Sequence, residues 1–457
     1  MVAFRGKGIV PSSSAEPDNI LMDLGDGLVL RHAASTDVEA LADFQAVFNS
    51  VLGSPDESIR AWTHDLMSGG LRDFEARDFT VVEDTKTGTI VSSLNLISQT
   101  WSYAGINFPV GRIELVATHP DYRRNGLVRS QMNVVQGWSA ERRELVLGIT
   151  GIPWFYRQFG YEMALECFGG RLGAIIDTPV RCEEYKFRPA TREDLPMLVE
   201  MYDRAMQRYL VSCVRDEAMW EYEIYGRSQQ AAHRSEILVI ERLDDSSVGY
   251  LIHEGVVLTD AKAVNVTGYE LAEGVSWSEV TPVVMRYMQG TVNGICSGMI
   301  ERTNFSLGTH HPAYDLAKDF FPNSARPYAW YLRVPDMVNF LKHIGSVLEH
   351  RIAGSCLSGY TGDIKISFVT DGVRIFFRSG RLVEVIQWFP TQDDSRLAPK
   401  VRDALYPGNT FLPLLFGFKS IDDLESAFPD CLVSSAEARQ LLSILFPKKA
   451  SWVWGVE

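Results

Sequence analysis

Long hydrophobic runs, paired cysteines and an excess of basic charge are all missing from this chain of 457 residues. Its apolar stretches are short, as at residues 411–418, whereas a bilayer-crossing helix needs about 20 apolar residues, so no membrane span is expected. Residues 1–16 carry two early basic side chains with no apolar core behind them, which argues against a secretory signal. Six cysteines are present (Cys167, Cys182, Cys213, Cys296, Cys356 and Cys431), and none share CxxC or CxxxC spacing. They read as reduced thiols of a cytoplasmic protein, not as a disulfide framework or a zinc site. Lys and Arg number 44 against 58 Asp and Glu, a net charge of −14. Such a chain repels nucleic-acid phosphates, which proteins usually meet with clustered basic residues. What is there is the composition of a folded soluble protein, 46% hydrophobic and 22% charged. At about 100–200 residues per domain, the length predicts two to four domains.

Residues 1–27, rich in Pro and Ser, read as a loosely ordered arm. A short strand follows at 28–31. Next comes a helix with Ser35 or Thr36 as N-cap and Val38, Leu41, Phe44 and Val47 on one face. Strands are expected at 79–83 and 89–97 around a hairpin turn at 84–88, and at 112–117 and 145–150 on either side of a helix over 124–142. The opening pattern Leu30-Arg31-His32-Ala33…Asp37 returns as Phe187-Arg188-Pro189-Ala190…Asp194, 157 residues later. This echo suggests a duplicated domain. A third composition begins after Pro335. Strands at 364–368, 373–378 and 382–388 turn at Asp371-Gly372 and Ser379-Gly380, then helices start at Ser420 and at a capping box formed by Ser434-Ser435-Ala436-Glu437. The chain closes on an aromatic tail, Ser451-Trp452-Val453-Trp454-Gly455-Val456-Glu457, whose composition predicts burial. The expected domains are therefore 28–180, 181–334 and 335–457, after the arm.

One segment carries chemistry. Ile113-Glu114-Leu115-Val116-Ala117-Thr118 reads as a strand, Arg123-Arg124-Asn125-Gly126 as a basic turn, and Leu127 onward as a helix that buries Leu127, Val128, Val135 and Trp138. A helix N-terminus offers unsatisfied N–H groups and a positive dipole end, glycine admits close approach, and two arginines suit a pyrophosphate. Downstream, Gly151-Ile152-Pro153-Trp154-Phe155-Tyr156-Arg157-Gln158-Phe159-Gly160-Tyr161 reads as a helix with Pro153 in its first turn. Tyr161 is expected in the core. His119 sits in a turn, and His310-His311 precede Pro312 without other ligand types at metal spacing, so no metal is expected.

These motifs resemble the GNAT acyltransferase superfamily, whose acetyl-CoA turn reads Q/R-x-x-G-x-G/A; Arg123-Arg124-Asn125-Gly126-Leu127-Val128 departs from it only in Val128. The resemblance implies that Val116, Ala117 and Thr118 lie along pantetheine, that Arg123, Arg124, Asn125, Gly126 and Leu127 hold the pyrophosphate, and that Tyr156 protonates the departing thiolate. Taken over the whole chain, the organisation is similar to the Eis (enhanced intracellular survival) family: an active GNAT domain, a degenerate one, and a C-terminal domain like sterol carrier protein. The implied fold is α+β, with two tandem GNAT-like domains plus that third domain. In the Eis family the C-terminal carboxylate serves as general base, which here places the role on Glu457. In many other GNAT enzymes a strand glutamate does so, which here is Glu114. The resemblance implies acetyl-CoA as co-substrate and amine acceptors such as aminoglycosides, polyamines or lysine-containing peptides. It also implies a homo-oligomer, often a hexamer, with no nucleic-acid or membrane partner. The net charge agrees with cationic acceptors. An alternative is a non-catalytic carrier, with Phe411, Leu414, Leu415 and Phe416 lining a tunnel for a hydrophobic ligand; another keeps the fold and takes a longer acyl-CoA.

Overall fold

The computed structural model describes residues 19–50, 54–173, 184–254, 263–295, 302–390 and 402–454. The chain begins with β1 (Ile20–Gly25), β2 (Leu28–His32), α1 (Val38–Phe48), α2 (Glu57–Met67), β3 (Phe79–Asp84), β4 (Thr89–Tyr103) and β5 (Ile106–Thr118). Then come α3 (Leu127–Glu141), β6 (Val146–Ile149), β7 (Glu162–Cys167), β8 (Gly170–Leu172), β9 (Tyr185–Pro189), α4 (Leu195–Met206), β10 (Val211–Cys213) and α5 (Glu217–Glu221). The middle continues with β11 (Ser235–Arg242), β12 (Ser247–Glu254), β13 (Ala263–Leu271), α6 (Trp277–Ile295), β14 (Arg302–Phe305), α7 (Pro312–Leu316), β15 (Asn323–Ala325) and β16 (Tyr328–Arg333). The last part holds α8 (Met337–His343), α9 (Gly345–Ala353), β17 (Gly362–Ser367), β18 (Gly372–Arg378), β19 (Arg381–Trp388), β20 (Ala404–Leu405), α10 (Leu412–Leu415), α11 (Ile421–Ala427), β21 (Leu432–Val433) and α12 (Ala436–Leu445). This is the expected mixed α+β class.

The first sheet runs β1-β2-β3-β4-β5-β6-β16-β7, with β10 added against β4. Its spine is the long β4–β5 hairpin, turned at Ala104 and Gly105, both at positive φ (48° and 90°) as a two-residue hairpin turn requires. Two expectations change here. Part of the supposed arm is β1, paired antiparallel with β2. The first helix is capped neither by Ser35 nor by Thr36: a 3₁₀ turn at Ser35–Asp37 precedes α1, and the Asp37 carboxylate accepts the Ala34 N–H at 2.8 Å. Val47, expected on the buried face, is exposed, because α1 buries Ala40, Leu41, Phe44 and Gln45 instead.

The second sheet runs β15-β8-β14-β13-β12-β11-β9. Its opening repeats that of the first in detail. Arg31 donates to both oxygens of Asp37 (2.7 and 2.9 Å) and through Nε to Glu83 (2.9 Å). Arg188 donates to both oxygens of Asp194 (2.7 and 2.7 Å) and through Nε to Glu241 (2.7 Å). Both carboxylates close a 3₁₀ turn that leads into the next helix. Strands cross the expected limits at 180 and 334: β8 joins the second sheet, whereas β10 and β16 join the first.

The third sheet, β19-β18-β17-β20-β21, packs its helices against the far end of the first. Trp101, Tyr103, Phe108 and Trp330 share one core with Phe340, Phe416 and Leu442. The Tyr103 hydroxyl donates to the Leu415 carbonyl at 2.7 Å. Phe411, Leu414, Leu415 and Phe416 are buried in this core. The capping at the last helix is shifted by one residue from the expected box: Ser435 is the N-cap of α12 and accepts from the Ala438 N–H. The tail lies along β10. Trp452 N–H donates to Val211 O at 2.8 Å, Leu210 N–H donates to Ala450 O at 2.8 Å, and Trp452 and Val453 are buried. Among the described residues Cys167, Cys213, Cys356 and Cys431 form no disulfide; Cys182 and Cys296 lie outside the described residues. Among the described residues, no helix is long and apolar enough to cross a membrane, and no group of three His, Cys, Asp or Glu could hold a metal ion.

Candidate functional site

The site begins with a break in strand pairing. β5 and β6 pair in parallel only at Val110–Val146, Gly111–Leu147 and Arg112–Gly148, so beyond Arg112 the two strands part. On its other edge β5 carries a bulge. Ala117 faces Ser93 and Glu114 faces Asn95, so Leu115 and Val116 stand opposite one residue of β4. Leu115 takes φ = 52°, a left-handed conformation that few non-glycine residues adopt. Bulges bend a strand and re-aim its side chains. Gln45 Nε2, buried in α1, donates to the Leu115 carbonyl at 2.9 Å and fixes the bulge.

The cleft so opened measures about 900 Å³. Its floor is 113–118, one wall is the turn into α3 with Arg123, Arg124, Gly126, Leu127, Val128 and Arg129, and another is 149–152 with Phe155, Tyr156, Gln158 and Phe159. Phe48, Asn49, Ile59 and Trp62 of the α1–α2 region close the remaining side. The sequence-predicted residues Glu114, Val116, Ala117, Thr118, Arg123, Arg124, Gly126, Leu127 and Tyr156 all line this one cleft. Asn125 lies in the same turn and is exposed. Glu457 lies outside the described residues.

The turn departs from the expected helix over 124–142, which starts three residues later. Arg124 and Gly126 adopt φ = 69° and 77°, incompatible with a right-handed helix, so α3 begins at Leu127. No side chain caps its start and no acidic residue sits in its first turn, so the dipole end keeps its positive character. A Cβ built on Gly126 would touch nothing within 4 Å, and Arg123 and Arg124 are exposed. That is open, cationic space suited to a pyrophosphate. Tyr122 is tied to the sheet by its hydroxyl, which donates to Asp84 at 2.6 Å.

Glu114 is held by Arg112, whose Nε and Nη2 reach its Oε1 at 2.8 and 2.7 Å. The Arg112 guanidinium in turn lies over the Trp330 ring, 5.0 Å from its centroid, and Trp330 Nε1 donates to the Val453 carbonyl at 3.3 Å. The C-terminal tail thus joins the first sheet two contacts away from Glu114.

Tyr156 is not on the expected helix with Pro153 in its first turn. Trp154 takes φ = 68°, which ends any such helix, and a single 3₁₀ turn spans Phe155–Phe159. Two tyrosines of β16 pin this turn: Tyr331 accepts the Trp154 N–H at 2.6 Å, and Tyr328 donates to the Gly151 carbonyl at 2.8 Å. The Tyr156 ring is buried against Phe155 and Tyr331. Burial, and then the Glu114 charge, push its hydroxyl well above the usual phenol range. Tyr161 is fully buried, as expected for a core residue. His119 accepts the Asp121 N–H and packs on Phe48. His311 is buried, donates to the Tyr269 carbonyl at 2.8 Å and caps α7, which is a structural role.

Sequence reasoning missed the α1–α2 wall, Arg129 and the β16 tyrosines. Tyr328 and Tyr331 reach the site from 175 to 177 residues away by strand pairing, and no local pattern signals that.

The second sheet contains the corresponding strand pair, without such a cleft among the described residues. β13 and β14 pair in parallel from Ala263–Arg302 to Val266–Phe305, and β13 bulges near Thr267. Beyond that point Tyr269, Glu270, Leu307, His311, Trp452 and Trp454 leave a cavity of about 20 Å³. The helix after β13 carries Glu279 in its first turn, the wrong charge for an anion.

Residues 30–164 match the family described as Acetyltransferase (GNAT) domain. No curated protein matches the chain in sequence. Among solved structures it is similar to a GCN5-related N-acetyltransferase from Anabaena variabilis (13% identity, TM-score 0.62, covering 93% of this chain and 99% of that one). It is similar also to a probable N-acyltransferase from Enterococcus faecalis (12%, TM-score 0.63, 94% and 100%). A third is Eis1 from Mycobacterium abscessus (15%, TM-score 0.55, 93% and 99%). At these identities the likeness is one of fold. With the family match and the cleft it supports one conclusion: residues 30–164 are a GNAT acetyltransferase domain, and the chain is an enzyme of the N-acetyltransferase type.

Proposed function

We propose that the chain transfers the acetyl group of acetyl-CoA directly to a primary amine, in an Eis-like arrangement of tandem GNAT-like units and a sterol-carrier-like third unit. The observation that carries this reading is the convergence of a cationic, uncapped helix start, a bulged strand and Glu114 with Tyr156 on a single cleft. Acetyl-CoA supplies the acyl group activated as a thioester. Arg123 and Arg124, with the backbone N–H groups of Asn125 to Leu127, hold the pyrophosphate. Val116, Ala117 and Thr118 present backbone edges to the pantetheine arm, and the N–H at Val116 steadies the negative charge that grows on the carbonyl oxygen.

A carboxylate takes the amine proton, either Glu114 or the terminal group at Glu457. Glu114 has the advantage of a coupled acid: its charge raises Tyr156, so when Glu114 accepts a proton that repulsion is lifted and Tyr156 becomes the better donor to the leaving sulfur. Among the described residues no cysteine lines the cleft, which favours direct transfer over an acetyl-enzyme. The acceptor classes implied by resemblance are aminoglycosides, polyamines and lysine-type amines. A cytoplasmic homo-oligomer belongs to the same reading.

The test is acetyl-CoA turnover, followed as released thiol, for the parent, Tyr156→Phe, Glu114→Gln and a chain lacking Glu457. Loss in Tyr156→Phe and Glu114→Gln with retention in the shortened chain assigns the base to Glu114. The reverse pattern between the last two assigns it to the terminus. Absence of turnover with every amine, together with absence of acetyl-CoA binding, would refute the proposal.

A further inference from the structure

Gln45 is fully buried in α1, and both ends of its carboxamide are bonded. Its Nε2 donates to the Leu115 carbonyl at 2.9 Å, and its Oε1 accepts from Nδ2 of Asn49, the C-cap of α1, which lines the cleft. Chemistry fixes the direction of both bonds. A carbonyl can only accept, so Gln45 turns its NH2 to Leu115 and its oxygen to Asn49, and Asn49 must donate. The Leu115 carbonyl and the Val116 N–H belong to one peptide group, and it is trans. In a trans peptide the two point in opposite directions, so a carbonyl turned towards α1 sends the N–H away from it. Three donors then run head to tail: Asn49 to Gln45, Gln45 to Leu115, and Val116 to the thioester oxygen. Each link crosses an amide, whose resonance makes the N–H more positive as its oxygen is polarised. Bonds in such a chain strengthen one another by about 10–30% each, most of all away from water. The bulge needs only the inner bond, from Gln45. The outer bond, from Asn49, adds polarisation.

We infer that Gln45 and Asn49 are positioning residues for acyl transfer, joined to the Leu115–Val116 peptide in a directed hydrogen-bond chain that makes the Val116 N–H a stronger donor to the thioester oxygen. The inference rests on the acetyltransferase reading and on the part Val116 plays in it. In the transfer the amine nitrogen forms the N–C bond, the C–S bond breaks, a carboxylate takes the amine proton and Tyr156 gives one to the sulfur. No proton moves along the chain. It meets the negative charge on the carbonyl oxygen, and its bonds tighten as that charge grows.

The experiment reads the carbonyl itself, by infrared difference spectroscopy of acetyl-CoA labelled with carbon-13 at the thioester carbon. It is bound without amine to the parent, Asn49→Leu and Gln45→Met. The parent is expected to move the stretch below that of free acetyl-CoA. Asn49→Leu recovers part of the shift and Gln45→Met most of it. Kinetics use the best acceptor among spermidine, kanamycin and a lysine peptide, at saturation. There kcat should fall about three-fold in Asn49→Leu and about ten-fold in Gln45→Met, less than the 100-fold or more expected for loss of an oxyanion donor. Acetyl-CoA affinity should stay within about two-fold, since the chain acts chiefly on the transition state. Gln45→Met also removes the support of the bulge; Asn49→Leu leaves that support and so isolates polarisation. If Asn49→Leu matches the parent in stretch and kcat, Gln45 only holds the bulge and the inference is overturned. Equal stretches in all three proteins overturn it too, whatever kcat does. A stretch that shifts as expected without turnover of any amine counts against the acetyltransferase reading alone. Absence of acetyl-CoA binding to the parent overturns both.

Discussion

Tyr156 shows how much a single position can owe to its surroundings. Burial and Glu114 hold its proton tightly, so it stays neutral across the range in which an amine can be deprotonated. Replacing it with Phe keeps the ring packing against Phe155 and Tyr331 and removes only the proton. The expected result is a fall in kcat of about 100-fold with acetyl-CoA affinity nearly unchanged, read by steady-state kinetics and calorimetry. A second residue ties stability to pH. Burial raises the Glu254 carboxyl from 4.5 to about 7, against a hydrogen bond donated by Asn265. Between those values the folded state holds a proton that the unfolded state has released, so stability falls as pH rises through the window and levels off above it. The shift corresponds to about 3 kcal/mol. Denaturant midpoints at pH 5 and pH 8 should converge in Glu254→Gln, and a variant with the parent's slope would contradict the assignment. Neither environment was legible in sequence, since both arise from packing. The residue types Tyr156, Glu114 and Arg123 were legible, because their chemistry and spacing survive without coordinates.

At the scale of elements, the repeated opening gives a controlled comparison. Arg31 and Arg188 make the same fork to an aspartate and the same Nε bond to a glutamate, yet the Arg31 side chain is 3% exposed and that of Arg188 36%. Removing Arg31 leaves Asp37 and Glu83 buried and unpaired, a loss of about 3–5 kcal/mol. Removing Arg188 also strands buried carboxylates, Asp194 and Glu241 at 8% and 7% exposure, but the space vacated by this part-exposed arginine opens to water, so a smaller loss of about 2 kcal/mol is expected. Thermal melts of Arg31→Ala and Arg188→Ala test this, and equal losses would show that burial does not decide the cost. The echo could be seen in sequence because the fork is local, spanning six residues. The hairpins at 379–380 and 84–88 were likewise visible through their turn residues. What failed was boundary detail and distant pairing. The Phe155–Phe159 turn was expected as a helix because Pro153 suggests a first turn, but Trp154 in a left-handed conformation cuts it short. β16 could not be assigned to the first sheet from its own residues, because its neighbours β6 and β7 precede it by more than 150 positions.

Across the whole molecule, two related openings have opposite fates. In the first, β5 and β6 part over a cleft of about 900 Å³ that ends on an uncapped, arginine-rich helix start. In the second, the space beyond β13 and β14 has shrunk to about 20 Å³, filled by Tyr269, His311 and the tail tryptophans, and its helix begins with Glu279. The tail therefore joins the two sheets: Trp452 and Trp454 plug the second opening while Val453 accepts from Trp330 behind Glu114. A chain of this design should bind acetyl-CoA with a stoichiometry of one. Calorimetric titration checks it directly, and Arg123→Ala combined with Arg124→Ala should weaken binding by about 100-fold while the count stays at one, because the backbone N–H groups of the helix start remain. Two sites per chain, or undiminished affinity after the double substitution, would mean that the second opening takes the ligand in solution. Trp452→Ala separates these cases: it empties the plug without touching Arg123 or Arg124, so the count should stay at one if the wrong-signed helix start, and not only the filled space, keeps the second opening from holding a pyrophosphate.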